Sequence, residues 1–133
     1  MKKKQNGNYF LLPNNVFLFG LTPSEFIVYA FLRRSADKNT HQCWPSFSTI
    51  GKYVCLSKST VHACVDRLRE KRFITTEPTN RFTADGKKLN GTLLYTVLSP
   101  SDAEKYYHEQ QKEKLETTLE RASVQKKLQK RSD

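Results

Sequence analysis

The chain has 133 residues, of which 37% are hydrophobic and 27% charged, so we expect one small folded domain with a tail and exclude a fully disordered chain. A formal net charge of +10 favours an acidic partner, with nucleic acid ahead of an anionic membrane surface. No apolar run approaches the roughly 20 residues that span a bilayer, so we expect no membrane-embedded segment.

The positive charge is concentrated in the first hundred residues. Residues 1–100 carry 15 Lys and Arg against 6 Asp and Glu, whereas residues 101–133 carry 8 against 7. The part that is predicted to fold is therefore the basic part. This distribution is expected of a face that docks a polyanion, and not of a basic tail.

The first twenty residues begin with three lysines, Lys2 to Lys4, which apolar pieces follow. Pro13, Asn14 and Asn15 interrupt those pieces, and no small-residue cleavage site follows them, so a signal peptide is disfavoured. Residues 1–20 are therefore predicted to be a basic N-terminal arm that leads into a short strand or loop.

The first helix is predicted within "LTPSEFIVYAFLRRSAD". Thr22 fits the N-cap, Pro23 the first helical position, and Glu25 completes a capping box. The segment is apolar on several sides, so this helix should lie deep in the core. The polar stretch "KNTHQCW" that follows is predicted to contain a short strand.

Two more helices are predicted on either side of a three-residue turn. Ser46 is a suitable N-cap for the first, which spans about two turns, and Ser57 for the second. Each helix has one apolar face at helical spacing. The face of the first carries Phe47, Ile50 and Val54, and the face of the second carries Val61, Cys64, Val65 and Leu68.

A β-hairpin is predicted after the third helix. "FITTEPT" and residues 92–98 both favour strands, and the segment between them contains the turn dipeptides Asp85-Gly86 and Asn90-Gly91. The hairpin therefore has a long tip, which bears Arg81, Lys87 and Lys88.

The C-terminal segment, residues 99–133, is predicted to be a charged helical tail. It is rich in Glu, Lys, Gln and Leu, all of which favour helices. Leu115, Leu119 and Ala122 form a stripe that is too short for three heptads, which favours a solvated helix over a stable coiled coil.

Metal and enzyme chemistry are both disfavoured by residue spacing. Cys43, Cys55 and Cys64, even with His41 and His62, match no common zinc or dithiol pattern. We therefore predict no metal and no cofactor. No glycine-rich phosphate loop or oriented nucleophile is present, so the chain is not expected to be an enzyme. An odd number of cysteines disfavours a disulfide framework and favours a cytoplasmic location.

The helix pair instead favours DNA binding. Two helices joined by a short turn, the second with a polar and basic outer face, are the arrangement that places a helix in the major groove. A basic helix face is often merely solvated, but the cap, the hairpin and the localised charge all agree with DNA binding. The predicted DNA-binding residues are Ser57, Lys58, Ser59, Thr60, His62, Arg67, Arg81, Lys87 and Lys88.

The stretch "CWPSFSTIGKYVCLSKSTVHACVDRLREKRFI" resembles the winged helix-turn-helix domains of bacterial and phage replication initiators and mobile-element regulators. The motifs that carry the resemblance are Trp44-Pro45-Ser46, Thr49-Ile50-Gly51, Leu56-Ser57 and Lys58-Ser59-Thr60-Val61. The resemblance covers residues 20–77 clearly and the hairpin loosely. It implies a mainly α fold with a small β-hairpin, in which residues 21–98 form a three-helix core plus wing.

This sequence departs from the family at two positions. Cys55 stands at a turn position where glycine is common, and a Cβ there would be strained if φ is positive. Arg72 replaces the usual glycine before the strand that begins with "FI".

Two functions are expected from these features. The leading one is sequence-specific binding of double-stranded DNA, in replication initiation or transcriptional regulation on a plasmid, phage or integrated mobile element. The alternative is a protein-interaction adaptor that uses its C-terminal helix and binds DNA weakly and non-specifically. A homodimer stays open, because many such proteins pair on symmetric sites.

Overall fold

The computed structural model describes the backbone of residues 8–132 and the side chains of residues 8–130. A short 3-10 helix precedes four α-helices and five strands in this part of the chain. Their bounds are Asn14–Phe17 for the 3-10 helix, Pro23–Ser35 (α1), Gln42–Cys43 (β1), Phe47–Val54 (α2), Lys58–Glu70 (α3), Ile74–Glu77 (β2), Asn80–Phe82 (β3), Lys88–Asn90 (β4), Leu94–Val97 (β5) and Pro100–Ser132 (α4).

The first three helices begin where the sequence predicts. At α1 the capping box is complete, since Glu25 N donates to Thr22 Oγ1 at 3.3 Å and Thr22 N donates to Glu25 Oε1 at 3.2 Å. Ser46 and Ser57 cap α2 and α3 in the same way, each accepting from the backbone N–H three residues on. These caps satisfy donors that a helix start otherwise leaves unpaired.

The predicted strands pair into a three-stranded antiparallel sheet of order β1-β5-β2. Central β5 pairs Thr96 with Gln42 of β1 and Tyr95 with Thr76 of β2. Three helices against such a small sheet, with a hairpin after α3 and a long C-terminal helix, form the winged helix-turn-helix fold. The predicted fold class is confirmed.

The hairpin tip differs from its prediction. Residues 80–90 form a second two-stranded sheet, β3 against β4, in which Phe82 pairs with Lys88. The chain reverses at Gly86, whose φ is 84°. The prediction of a turn at Asn90-Gly91 is wrong, because Asn90 is used in the ladder opposite Asn80 and Gly91 N donates to Thr79 O at 2.8 Å.

The core lies between α1, α3 and the three-stranded sheet. As predicted, α1 is deeply placed, and its Val28 and Leu32 are fully buried. The predicted apolar face of α3 is buried as well. The lead-in to α1 is largely a loop, as predicted, but it also contains the 3-10 helix Asn14–Phe17. Val16 of this 3-10 helix and the nearby Phe19 belong to the core. The predicted basic residues Lys2 to Lys4 lie outside the described residues.

The start of α4 packs against this core. Ala103 is buried, the ring of Tyr107 lies 5.1 Å from that of Phe19, and Asn15 Nδ2 donates to Pro100 O at 3.1 Å. The packed part of the structure therefore extends past residue 98, where the predicted domain ends. The division into residues 1–20, 21–98 and 99–133 stays a prediction. Beyond these first turns, residues 111–130 are exposed.

None of the helices in the described part of the chain has both the length and the apolar character needed to cross a membrane.

Both positions where the sequence departs from the domains that it resembles have left-handed backbones. Cys55 has φ 60° and ψ 43°, and Arg72 has φ 63°. His41, with φ 60°, is a third such position that the sequence did not indicate.

We expect Cys55→Gly to raise the free energy of unfolding by about 0.5–1 kcal/mol, since left-handed strain of about 1–2 kcal/mol is relieved against an entropy cost of about 0.5–1 kcal/mol. Urea unfolding measures the change. Cys55→Ser, which keeps the Cβ, is the matched control and should leave stability unchanged. A gain in both variants would assign the effect to the thiol and not to the backbone.

Candidate nucleic-acid interface

The turn between α2 and α3 is built around Gly51. Its carbonyl accepts hydrogen bonds from Cys55 N and from Leu56 N, the latter at 3.1 Å. A Cβ on Gly51 would come closer to Leu56 O than the 3.0 Å that real Cβ atoms keep. Ile50 and Val61 are both fully buried on either side of this turn. The two helices are therefore held at a fixed angle by backbone contact and core packing.

The start of α3 presents short polar and basic side chains to solvent. Ser57, Lys58 and Ser59 are exposed and Thr60 is half-buried. Ser57 Oγ accepts from Thr60 N at 3.2 Å, donates to Thr60 Oγ1 at 2.9 Å and lies 3.2 Å from Ser59 Oγ. The hydroxyls of Ser57, Ser59 and Thr60 are thus hydrogen-bonded to one another at the cap, and Ser59 keeps its acceptor lone pairs for a further partner. Lys58 and Ser59 are the side chains best placed to contact a partner.

The outer face of α3 continues as a chain of polar contacts. The His62 ring meets the Phe47 ring edge-on at 5.1 Å, and its Nδ1 lies 3.6 Å from Asp66. Asp66 in turn accepts from Arg69 at 3.0 Å, and Arg69 donates to Thr76 Oγ1 of β2 at 3.1 Å. Arg69 was not among the predicted DNA-binding residues, although its spacing of three residues from Asp66 is a sequence signal for this pair.

Arg67 lies beside a buried carboxylate of α1. Its Nε is 3.8 Å from Glu25 Oε2, while Lys71 Nζ donates to Glu25 Oε1 at 2.6 Å. Burial raises the pKa of Glu25, but the Lys71 hydrogen bond, the Thr22 N–H and the charges of Lys71 and Arg67 together hold it below its usual value. Glu25 is therefore ionised at neutral pH and joins the end of α3 to the start of α1. The Arg67 side chain therefore has Glu25 as a partner within the fold and is still 58% exposed to solvent.

The three predicted hairpin cations all lie on the exposed ribbon formed by β3 and β4. Arg81 pairs with Leu89 across the ribbon and Lys88 with Phe82, while Lys87 lies at the turn. The structure thus divides the predicted residues into two groups, one on α3 and one on this ribbon.

Two of the three cysteines pack in the core as apolar side chains, and the third lies in the turn between α2 and α3. Cys43 and Cys64 are buried and Cys55 is exposed. Burial raises the pKa of the Cys43 thiol to about 11, and burial together with the Glu25 charge raises that of Cys64. Across residues 8–132 no three His, Cys, Asp or Glu side chains are grouped to hold a metal ion.

Comparison with known families agrees with this geometry. Residues 20–74, which contain α1, β1, α2, α3 and the start of β2, match the model of a family described as a helix-turn-helix domain. These residues have the helix-turn-helix fold described above. In such domains the second helix of the pair is the one that enters the major groove of DNA. Comparison with the curated proteins gives no match.

Similar solved structures include a possible transcriptional regulator from Methanosarcina mazei, with 18% identity, 76% of this chain and 78% of that chain covered, and a TM-score of 0.49. A second is Bordetella bronchiseptica BpsR, whose DNA binding is described as regulated by 6-hydroxynicotinic acid. It is 21% identical, the match covers 92% of this chain and 84% of that chain, and the TM-score is 0.41. A third is Lactococcus lactis ZitR in complex with DNA. It is 19% identical, the match covers 87% of this chain and 70% of that chain, and the TM-score is 0.40. The helix-turn-helix assignment depends on the family match and on the geometry above.

Proposed function

We propose that this protein is a regulator that binds double-stranded DNA in a sequence-specific manner. The observation that carries the proposal is the asymmetry of α3. Val61 and Leu68 on one side are fully buried, while Lys58 and Ser59 at its start are exposed. The core thus fixes the helix from behind and leaves its first turn available to base edges, which short polar and basic side chains can contact.

The α3 residues take different roles in this proposal. Ser57 and Thr60 maintain the helix start, whose backbone N–H groups bind a phosphate. Lys58 and Ser59 contact bases or phosphates, and His62 contacts the DNA one turn further along. Arg67 divides its guanidinium between Glu25 and the DNA backbone.

The exposed ribbon supplies the second group of contacts. Arg81, Lys87 and Lys88 bind phosphates beside the α3 site, which positions the protein without reporting sequence.

The process that this binding serves is transcriptional regulation or replication initiation on a plasmid, phage or integrated mobile element. The resemblance in Trp44-Pro45-Ser46 and the segment after it supports that context. Mapping the selected DNA site on the source replicon separates the two roles, since a repressor site overlaps a promoter and an initiator site lies within an origin.

Selection from a random duplex library is expected to enrich one DNA motif, and affinity for it should fall steeply with salt. Lys58→Ala should weaken binding by about 1–3 kcal/mol. If Lys58 contacts a phosphate, the salt slope falls by about 1, and if it contacts a base, the preference at one position relaxes. Fluorescence anisotropy at several salt concentrations measures both.

Lys105→Ala, an exposed change on α4, is the matched control and should bind like the unchanged protein. Weak binding without an enriched motif would contradict sequence-specific recognition and favour the adaptor, for which α4 leaves Leu115 and Leu119 each 60% exposed. A symmetric motif would indicate that two copies bind together.

A further inference from the structure

The ribbon formed by β3 and β4 exposes two large apolar side chains. Phe82 is 69% exposed and Leu89 is 40% exposed, and neither belongs to the hydrophobic core. Directly opposed residues in an antiparallel pair share one face. Phe82 therefore shares a face with Lys88, and Leu89 shares the other face with Arg81.

The charge around Phe82 favours a polyanion as the partner of this surface. Residues 80–90 carry Arg81, Lys87 and Lys88 against Asp85 alone, a net charge of +2. A surface that bound an apolar protein face would have to desolvate these cations, which is costly. A nucleic acid instead offers phosphates to the cations and stacked, apolar base steps to the ring.

The ribbon also has the reach for such a contact. It begins just after β2, which Arg69 ties to α3 through the hydrogen bond to Thr76. From Pro78 to Phe82 the chain extends by up to about 13 Å at about 3.3 Å per residue, and the Phe82 side chain extends further from the ribbon. The minor groove next to a major-groove site lies about 17 Å along the duplex, half of a helical turn of about 34 Å.

We propose that Phe82 is a wedge that enters the minor groove beside the α3 site and partly unstacks one base step, while Arg81, Lys87 and Lys88 hold the flanking phosphates. This inference deepens the proposed function and rests on it. Inserted apolar side chains of this kind kink duplex DNA by about 20–90° towards the major groove. The wedge therefore adds preference for an easily unstacked step, such as TA or CA, at a position that α3 does not contact.

The test uses the full chain and the duplex motif recovered by selection, with 2-aminopurine placed singly along the flanks. Binding of the unchanged protein should raise the fluorescence at one flanking step, and energy transfer between the duplex ends should report a bend. Phe82→Ala should abolish both signals while lowering affinity by no more than about tenfold, because the unstacking cost disappears together with the contact. Phe82→Leu, which keeps an apolar wedge, should restore much of both.

Leu89→Ala is the matched control on the other face of the ribbon and should retain the fluorescence and the bend. Circular dichroism melting should show that Phe82→Ala is folded, as expected for an exposed ring. Unchanged protein that binds its motif without a bend or a fluorescence rise would overturn the wedge and leave the proposed function standing. The wedge would equally be overturned if Phe82→Ala altered only self-association. Failure of the unchanged protein to select any motif would instead overturn the proposed function.

Discussion

Replacing Lys71 with methionine is expected to lower the free energy of unfolding by about 3 kcal/mol at pH 7, near the lower end of what breaking a buried ion pair costs. Lys71 Nζ lies 2.6 Å from Glu25 Oε1, and the Glu25 side chain is fully buried. Methionine keeps most of the aliphatic stem but leaves the carboxylate with Arg67 and the Thr22 N–H. Urea unfolding between about pH 7 and pH 4 measures the effect.

The pH dependence of this loss has a definite sign. In the unchanged protein the pKa of Glu25 is lowered, so its contribution to stability is present above the ordinary carboxyl pKa and is lost as pH falls through the folded-state pKa. Without Lys71, burial dominates and the Glu25 pKa should rise above its ordinary value. The difference between the two proteins should therefore be largest at neutral pH and shrink towards about pH 4.

Lys52→Met, at an exposed position of α2, is the control and should change stability little at any pH. A Lys71→Met defect of equal size at every pH would contradict the ion-pair account and assign the loss to packing of the lysine stem.

The features that the sequence predicts correctly are those encoded within a few residues. The capping box joins Thr22 to Glu25 across three positions, and the buried face of α3 follows from spacings of three and four residues. The pairing of Glu25 with Lys71 spans 46 residues and has no such local pattern. As a result, Glu25 is predicted as a cap and its role in tying α1 to α3 is missed.

The lack of a local signal also explains why one turn of the hairpin is predicted wrongly and why the packing of α4 is not predicted. Asp85-Gly86 and Asn90-Gly91 are equivalent turn signals in the sequence, and only strand pairing decides that Asn90 joins a ladder. In α4, Ala103, Tyr106 and Tyr107 fall at i, i+3 and i+4, but polar residues follow them up to Leu115. The pattern is therefore too short to predict that Ala103 and Tyr107 pack on the core. Docking of a mostly polar helix depends on where the rest of the fold places an apolar surface.

The candidate site is only partly decided by local spacing. The position of Ser57 before α3 predicts the exposed helix start, and that start is exposed. Spacing does not indicate that the Ser57 and Thr60 hydroxyls bond each other, or that Arg67 lies against a buried carboxylate. The first of these contacts is local and the second is tertiary. At the helix start they leave Lys58, and the acceptor lone pairs of Ser59, as the groups best able to contact DNA.

Replacing Gly51 with alanine is expected to lower the free energy of unfolding by about 1–3 kcal/mol, the usual cost of overpacking. Alanine in a helix interior normally gains about 1 kcal/mol over glycine, so the sign is reversed here. The reason is the Leu56 carbonyl, a backbone atom that a new Cβ would meet below 3.0 Å. Because this carbonyl belongs to the turn, relief requires α3 to move relative to α2.

The displacement of α3 should also be visible in DNA binding. Under conditions where Gly51→Ala is folded, its affinity for the selected motif should fall by about tenfold or more, since small misplacements of a helix in the major groove disrupt several base contacts at about 1–3 kcal/mol each. Ser48→Ala, an exposed change in the same helix, should preserve both stability and affinity. If Gly51→Ala matched Ser48→Ala in both measurements, the close approach at the turn would not be what sets the angle between the two helices. A loss of stability without a loss of affinity would mean that the turn supports the fold but does not position α3 on DNA.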